Sequence, residues 1–141
     1  MMRYAWQSVW RQMFDGVLAA GYQDVNPAHI GLFGYPGLDG RRPSELADQL
    51  QITKQSVNDL LGHLEARGYL NREPDPDDGR ARVVRLTPKG WRLQKTLHGE
   101  ARAAERHIAE TLGPRRYTQL HRALEELTRI AGPVLPSDSN A

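Results

Sequence analysis

The chain has 141 residues, 39% of them hydrophobic and 26% charged, with a formal net charge of +2. That length holds one compact domain, or a small domain with helical extensions, and the composition excludes global disorder. No cysteine is present, which excludes disulfides, thiol redox switches and cysteine-based zinc sites together.

The chain opens MMRYAWQSVWRQMF, with charges and tryptophans where a signal peptide needs a continuous apolar core. No apolar run approaches the ~18 residues of a membrane span, so a cytoplasmic protein with no membrane partner is expected. Between residues 3 and 20, Trp6, Val9, Trp10, Met13, Phe14, Val17 and Leu18 recur at spacings of three and four, which predicts a helix with one broad apolar face. Gly21 is its stop. Asn26-Pro27 predicts the cap and first residue of a short second helix around His29 to Phe33. GYPGLDGRRP, residues 34–43, is a loop by its glycines and prolines.

A third helix is expected in RPSELADQLQI, with Leu46, Ala47 and Leu50 on one face. Thr53 then caps a fourth, in which Val57, Leu60, Leu61 and Leu64 form an apolar stripe and Gly68 ends the run. Two short helices joined by about three residues, the second opening on polar side chains, make a helix-turn-helix. Residues 69–73 and 82–87 alternate as two antiparallel strands, with Val84 and Leu86 inward and Val83 and Arg85 outward. Between them lies PDPDDGR, whose prolines stiffen the arm and whose Asp78-Gly79 sets a turn. Thr87-Pro88 starts a long helix, striped by Leu93, Leu97, Ala101, Ala104, Ile108 and Leu112, until Gly113-Pro114 breaks it. A last helix holds Tyr117, Leu120, Leu124, Leu127 and Ile130, and GPVLPSDSNA forms a tail. Between Gly79 and Arg106 there are eight Lys or Arg and two Glu, a basic stripe compatible with phosphate binding.

The order of elements gives a mainly α fold with a small β-hairpin wing (α+β): a winged helix-turn-helix with dimerisation helices at both chain ends. The expected divisions are residues 1–25 for the N-terminal dimerisation helix and 26–88 for the winged helix-turn-helix. The C-terminal dimerisation helices follow over 89–132, then a flexible tail over 133–141. Three apolar helical faces exceed what the small central core can cover, so a homodimer is expected.

The run RRPSELADQLQITKQSVNDLLGHLEARGYLNREPDPDDGRARVVRLTPKG resembles the MarR family of bacterial transcriptional regulators. The likeness rests on SELA, the Thr-Lys-Gln-Ser helix opening, LE-x-R-G-Y-L, DP-x-D, an arginine after the turn, and V-x-LT-P-x-G; it is close over residues 42–90. Members are homodimers that bind pseudo-palindromic duplex DNA, usually as repressors, and many release it on binding small, often aromatic, ligands. In such a fold the fourth helix enters the major groove by its first turn. Gln55 and Asn58 would read base edges, Thr53 and Ser56 would contact phosphate or bases, and Lys54 would meet a phosphate. Asp78 would orient the guanidinium of Arg80, and Arg80 would enter the minor groove. Arg82 and Arg85 would sit nearer the phosphates, with Arg41 and Arg42 clamping the backbone. Asp59 would pair with an Arg or Lys. Gly62 departs from the family, which carries a larger polar residue there; close approach by a neighbouring element is one explanation.

Trp6, Trp10, Met13, Tyr22, His29 and Phe33 are candidates to line a pocket for a small aromatic ligand, although such a stripe also serves as core. The five histidines are scattered, with no HExxH and no Gly-rich phosphate loop, so no enzyme, metal site or cofactor is expected. The alternatives are a winged-helix protein-interaction module and a DNA-binding protein that responds to no ligand.

Overall fold

A computed structural model describes residues 1–34 and 37–131 of the chain. The tail assigned to residues 133–141, and Tyr35 and Pro36 of the Gly- and Pro-rich loop, lie outside the described residues.

Helix α1 spans Met2–Ala19 and buries Val17 completely, with Trp10, Met13 and Phe14 packed against the core. Helix α2, Pro27–Leu32, starts as its sequence predicts: Asn26 Oδ1 accepts from His29 N–H at 3.1 Å. The return bond runs from Asn26 N–H to His29 Nδ1 at 3.2 Å, so a histidine takes the place that Glu or Gln fills in the usual capping box.

Helix α3, Pro43–Leu50, and helix α4, Lys54–Ala66, are joined through Gln51, whose φ of 55° makes the left-handed turn between them. Thr53 Oγ1 accepts from Ser56 N–H at 3.1 Å and caps α4. Gly68, at φ +78°, ends it, and Tyr69 N–H returns to Leu64 O at 3.0 Å. Strands β1, Leu70–Pro74, and β2, Arg82–Leu86, pair antiparallel from Leu70↔Leu86 to Pro74↔Arg82. Helix α5, Pro88–Ala131, is interrupted at Gly113 (φ 75°, ψ 163°), so the Gly-Pro break divides it into two arms.

One expectation fails on β2. Val83 is buried at 3% exposure rather than facing outward. The loop after α2 runs along the free edge of β2, with Gly40 N–H to Val84 O at 2.7 Å and Val84 N–H to Arg41 O at 2.9 Å. The strand is therefore hydrogen-bonded along both edges, and Val83 and Val84 are both buried.

The core gathers Ile30, Phe33, Leu46, Val57, Leu61, Leu64, Tyr69, Leu70, Val84 and Leu93 between α1 to α4, the hairpin and the first arm of α5. Two glycines leave no room for a side chain: a Cβ on Gly90 would lie 2.0 Å from the backbone oxygen of Tyr69, and one on Gly16 would lie 2.1 Å from the side-chain Oε2 of Glu100. Beyond Gly113, Leu120, Leu124, Leu127 and Ile130 are 38–76% exposed.

Candidate nucleic-acid interface

The first turn of α4 presents Thr53, Lys54, Gln55 and Ser56, all exposed. Thr53 Oγ1 donates to Ser56 Oγ at 2.9 Å as well as capping the helix. Gln55 Nε2 donates to Asp59 Oδ1 at 2.9 Å. Asp59 thus holds a neutral amide rather than the expected cation, and leaves Gln55 its carbonyl oxygen and a second N–H.

Asn58 is not free in this way. It is half-buried, its Nδ2 donates to Lys54 O at 2.9 Å, and its Oδ1 accepts from Arg72 Nη1 at 3.0 Å. The residue expected to read a base edge is committed within the fold.

The wing explains its crowd of acids. Asp75 is 8% exposed, and its Oδ2 accepts from both Nε and Nη2 of Arg42 at 2.6 Å. Its Oδ1 accepts from Asp77 N–H at 2.9 Å, and this backbone bond, with the Arg42 guanidinium, holds the carboxyl below the usual carboxylate range. Arg42 is correspondingly a brace between the start of α3 and the wing, not the free backbone clamp that was expected. Asp78 also acts differently from the expectation: its Oδ1 accepts from the backbone N–H of Arg80 at 3.1 Å, fixing the turn rather than the guanidinium. Bonds from Asp75 N–H to Ala81 O at 2.9 Å and from Ala81 N–H to Asp78 O at 3.0 Å close the loop.

The arginines divide by occupancy. Arg80 is exposed at the tip, and its guanidinium has no ion-pair partner among the described residues. Arg82 donates through Nη2 to Arg72 O, and Arg85 lies 3.4 Å from Asp39 Oδ2 and 3.9 Å from Glu73 Oε2. Arg41 is half-buried, with its backbone paired to β2.

Behind this face, Tyr69 O–H donates to Asp24 Oδ1 at 2.6 Å, and Lys89 Nζ sits 4.2 Å over the Tyr69 ring while donating to Arg67 O at 2.9 Å. Burial, then the bond to Asp24, pushes the Tyr69 phenol up. Burial raises Asp24, but the Tyr69 bond and the Lys89 charge outweigh it and leave its carboxyl lowered. The cluster ties the end of α4 to the start of α5. Sequence reasoning missed it, and missed Arg72, Asp75 and Asp39, whose Oδ1 accepts from Leu86 N–H at 2.8 Å. Only the density of acids around Asp75 signalled any of these.

The six pocket candidates differ in exposure. Trp6 is 64% exposed and stacks on Trp10 with ring centroids 5.9 Å apart, while Phe33 and His29 lie in the core at 0% and 2%. Met13 lines an apolar cavity of about 250 Å³ between α1 and both arms of α5, with Val9, Ile108, Tyr117, Leu120 and Leu124. Among the described residues, no group of three or more His, Asp or Glu is placed to hold a metal ion, and no helix is long and apolar enough to cross a membrane.

A helix-turn-helix followed by a two-stranded wing, flanked by helices from both ends of the chain, defines a winged-helix protein. Residues 23–81 match the model of the MarR family. An HTH-type transcriptional repressor of Mycobacterium tuberculosis is 32% identical over 92 residues, covering 65% of this chain and 64% of that protein. The transcriptional regulator Tm0710 of Thermotoga maritima has a solved structure that is 27% identical, with a TM-score of 0.62 over 92% of this chain and 89% of that one. The transcriptional repressor CouR, solved on a 23-mer DNA duplex, is 26% identical with a TM-score of 0.71 over 93% and 89%. The chain is similar to the MarR family over residues 23–81, and it spans 64% of the length of its mycobacterial relative.

Proposed function

We propose that the protein is a homodimeric transcriptional regulator that binds a pseudo-palindromic duplex operator, as a repressor. The observation that carries this reading is the pairing of an exposed polar first turn on α4 with an exposed, unpaired Arg80 on a wing braced by Asp75 and Asp78. A turn held by six hydrogen bonds and an ion pair would be superfluous for a solvated loop; it suits a cation presented to a narrow groove. Gln55, steadied by Asp59, has the donor and acceptor that adenine's major-groove edge requires. Thr53, Lys54 and Ser56 supply phosphate contacts beside it. CouR on its duplex and the mycobacterial protein named a repressor support the same assignment. The uncovered leucines of the second α5 arm support dimerisation, which brings two copies of α4 to one duplex.

The test is fluorescence anisotropy with duplex from the region upstream of the coding sequence, against scrambled duplex, across a salt series. Specific binding that weakens steeply with salt is expected, and Arg80→Ala should cost about 1–3 kcal/mol of it. Absence of binding to any duplex at low salt would instead favour a protein-interaction module. The cavity between α1 and α5 supports release by a small aromatic ligand. In the same titration, added benzoate should weaken binding; unchanged binding makes the chain a regulator without this response.

A further inference from the structure

One arginine of the wing that the DNA reading leaves unused bonds directly to α4. Arg72 lies in β1, opposite Val84 in the strand pairing, and its side chain is 24% exposed. Its Nη1 donates to Asn58 Oδ1 at 3.0 Å and its Nη2 to Asn58 O at 3.2 Å. Its Nε lies 3.4 Å from Glu65 Oε2, an ion-pair distance without hydrogen-bond alignment. Residues 58, 62 and 65 share one helical face, so the guanidinium lies along α4 and spans two turns.

Between the two anchor points stands Gly62, the glycine that departs from the family. A Cβ built there would lie 3.7 Å from Arg72 Nη2 and would meet nothing else nearby. A methyl fits; a longer side chain would contest the space the guanidinium occupies. The glycine and the arginine are therefore halves of one arrangement. The first is the gap and the second fills it.

We propose that Arg72 is a positioning residue that sets the rotation of α4 against the wing, and that it determines specificity by withholding Asn58 from the duplex. The inference rests on the DNA-binding reading above for its consequence, but not for its geometry. With Asn58 held at both ends of its amide, base reading falls to Gln55 and its neighbours in the first turn. The planar fork of arginine is required, because one ammonium cannot bond Asn58 at two atoms and still reach Glu65.

The experiment compares Arg72→Lys, Asn58→Ala and the double variant by anisotropy on preferred and scrambled duplex, with hydrogen exchange of the α4 amides measured without DNA. Each single variant should lower the ratio of specific to scrambled affinity by about tenfold, the worth of one lost charge-assisted bond. The double should be no worse than either single, because both remove the same clamp. Scrambled affinity and its salt slope should stay at wild-type values in Arg72→Lys, which keeps the charge. Exchange over residues 58–65 should rise.

A wild-type ratio in Arg72→Lys overturns the proposal. So does a loss confined to Asn58→Ala, which would mean that Asn58 touches a base itself, and so do losses that add in the double. If the wild type prefers no duplex, that counts against the regulator reading alone, and exchange decides the clamp. Raised exchange in Arg72→Lys upholds it and unchanged exchange overturns it. Gly62→Gln, which leaves both partners in place, is a second route to the same displacement and should reproduce the raised exchange.

Discussion

Gly62 and Gly90 respond in opposite directions to a single added methyl. At Gly90 the methyl would meet Tyr69 O at 2.0 Å, a backbone atom that cannot step aside, so Gly90→Ala should cost about 1–3 kcal/mol and lower the melting temperature by several degrees. At Gly62 the nearest atom is a guanidinium nitrogen at 3.7 Å, and mid-helix glycine carries a conformational cost of ~0.5–1 kcal/mol relative to alanine. Gly62→Ala should therefore raise the melting temperature; a fall comparable with that of Gly90→Ala would contradict the spacing described. From the sequence alone the two positions look alike, as glycines in predicted helices. What separates them is which element crosses above each, and that is set by tertiary packing. The same limit hid the true partners of Arg42 and Asn58. Asp75 is 33 residues from Arg42, and Arg72 is 14 residues from Asn58.

Elements were more legible than contacts, because their ends are set locally. Thr53 caps α4, Gly68 ends it and Gly113-Pro114 interrupts α5, each by backbone chemistry confined to a few residues. Val83 shows where local pattern stops being informative: strict alternation assumes an open outer face, and here the consecutive residues Val83 and Val84 are both buried. Helix α2 carries a pH dependence of its own. Its capping box depends on His29 Nδ1 accepting a hydrogen bond, which only the neutral ring can do. Burial, then the charges of Arg67 and His63, push the His29 pKa below its ordinary 6.5, with Asp24 opposing. The folded state therefore takes up fewer protons than the unfolded one just below pH 6.5. Stability from this group is fully present above that value and is lost as pH falls through the folded pKa. Thermal melts between pH 7.5 and 5.5 should show the loss, and His29→Gln, an ordinary capping-box residue, should flatten it. Equal slopes for the two proteins would show that His29 is not its source.

For the whole molecule, the features point to a division of labour between its two ends. The winged domain is internally braced, with Arg42–Asp75, Arg72–Asn58 and Lys89–Tyr69–Asp24 locking α3, α4, the wing and α5 to one another. The second arm of α5 keeps Leu124, Leu127 and Ile130 uncovered. A rigid reader on an arm with an apolar face is what a two-fold assembly on DNA requires, since spacing between the readers is then fixed by the arms.

The central claim is best tested by hydroxyl-radical footprinting of the protein on its own upstream region, with Leu124→Asp run beside the wild type. The account predicts two protected segments related by approximate two-fold symmetry, with centres ~34–36 Å apart, about one turn of duplex. Leu124→Asp, which places a charge on the uncovered face, should lose both segments together. A single protected segment unaffected by Leu124→Asp would contradict the two-fold reader, and uniform cleavage at low salt would contradict DNA binding itself.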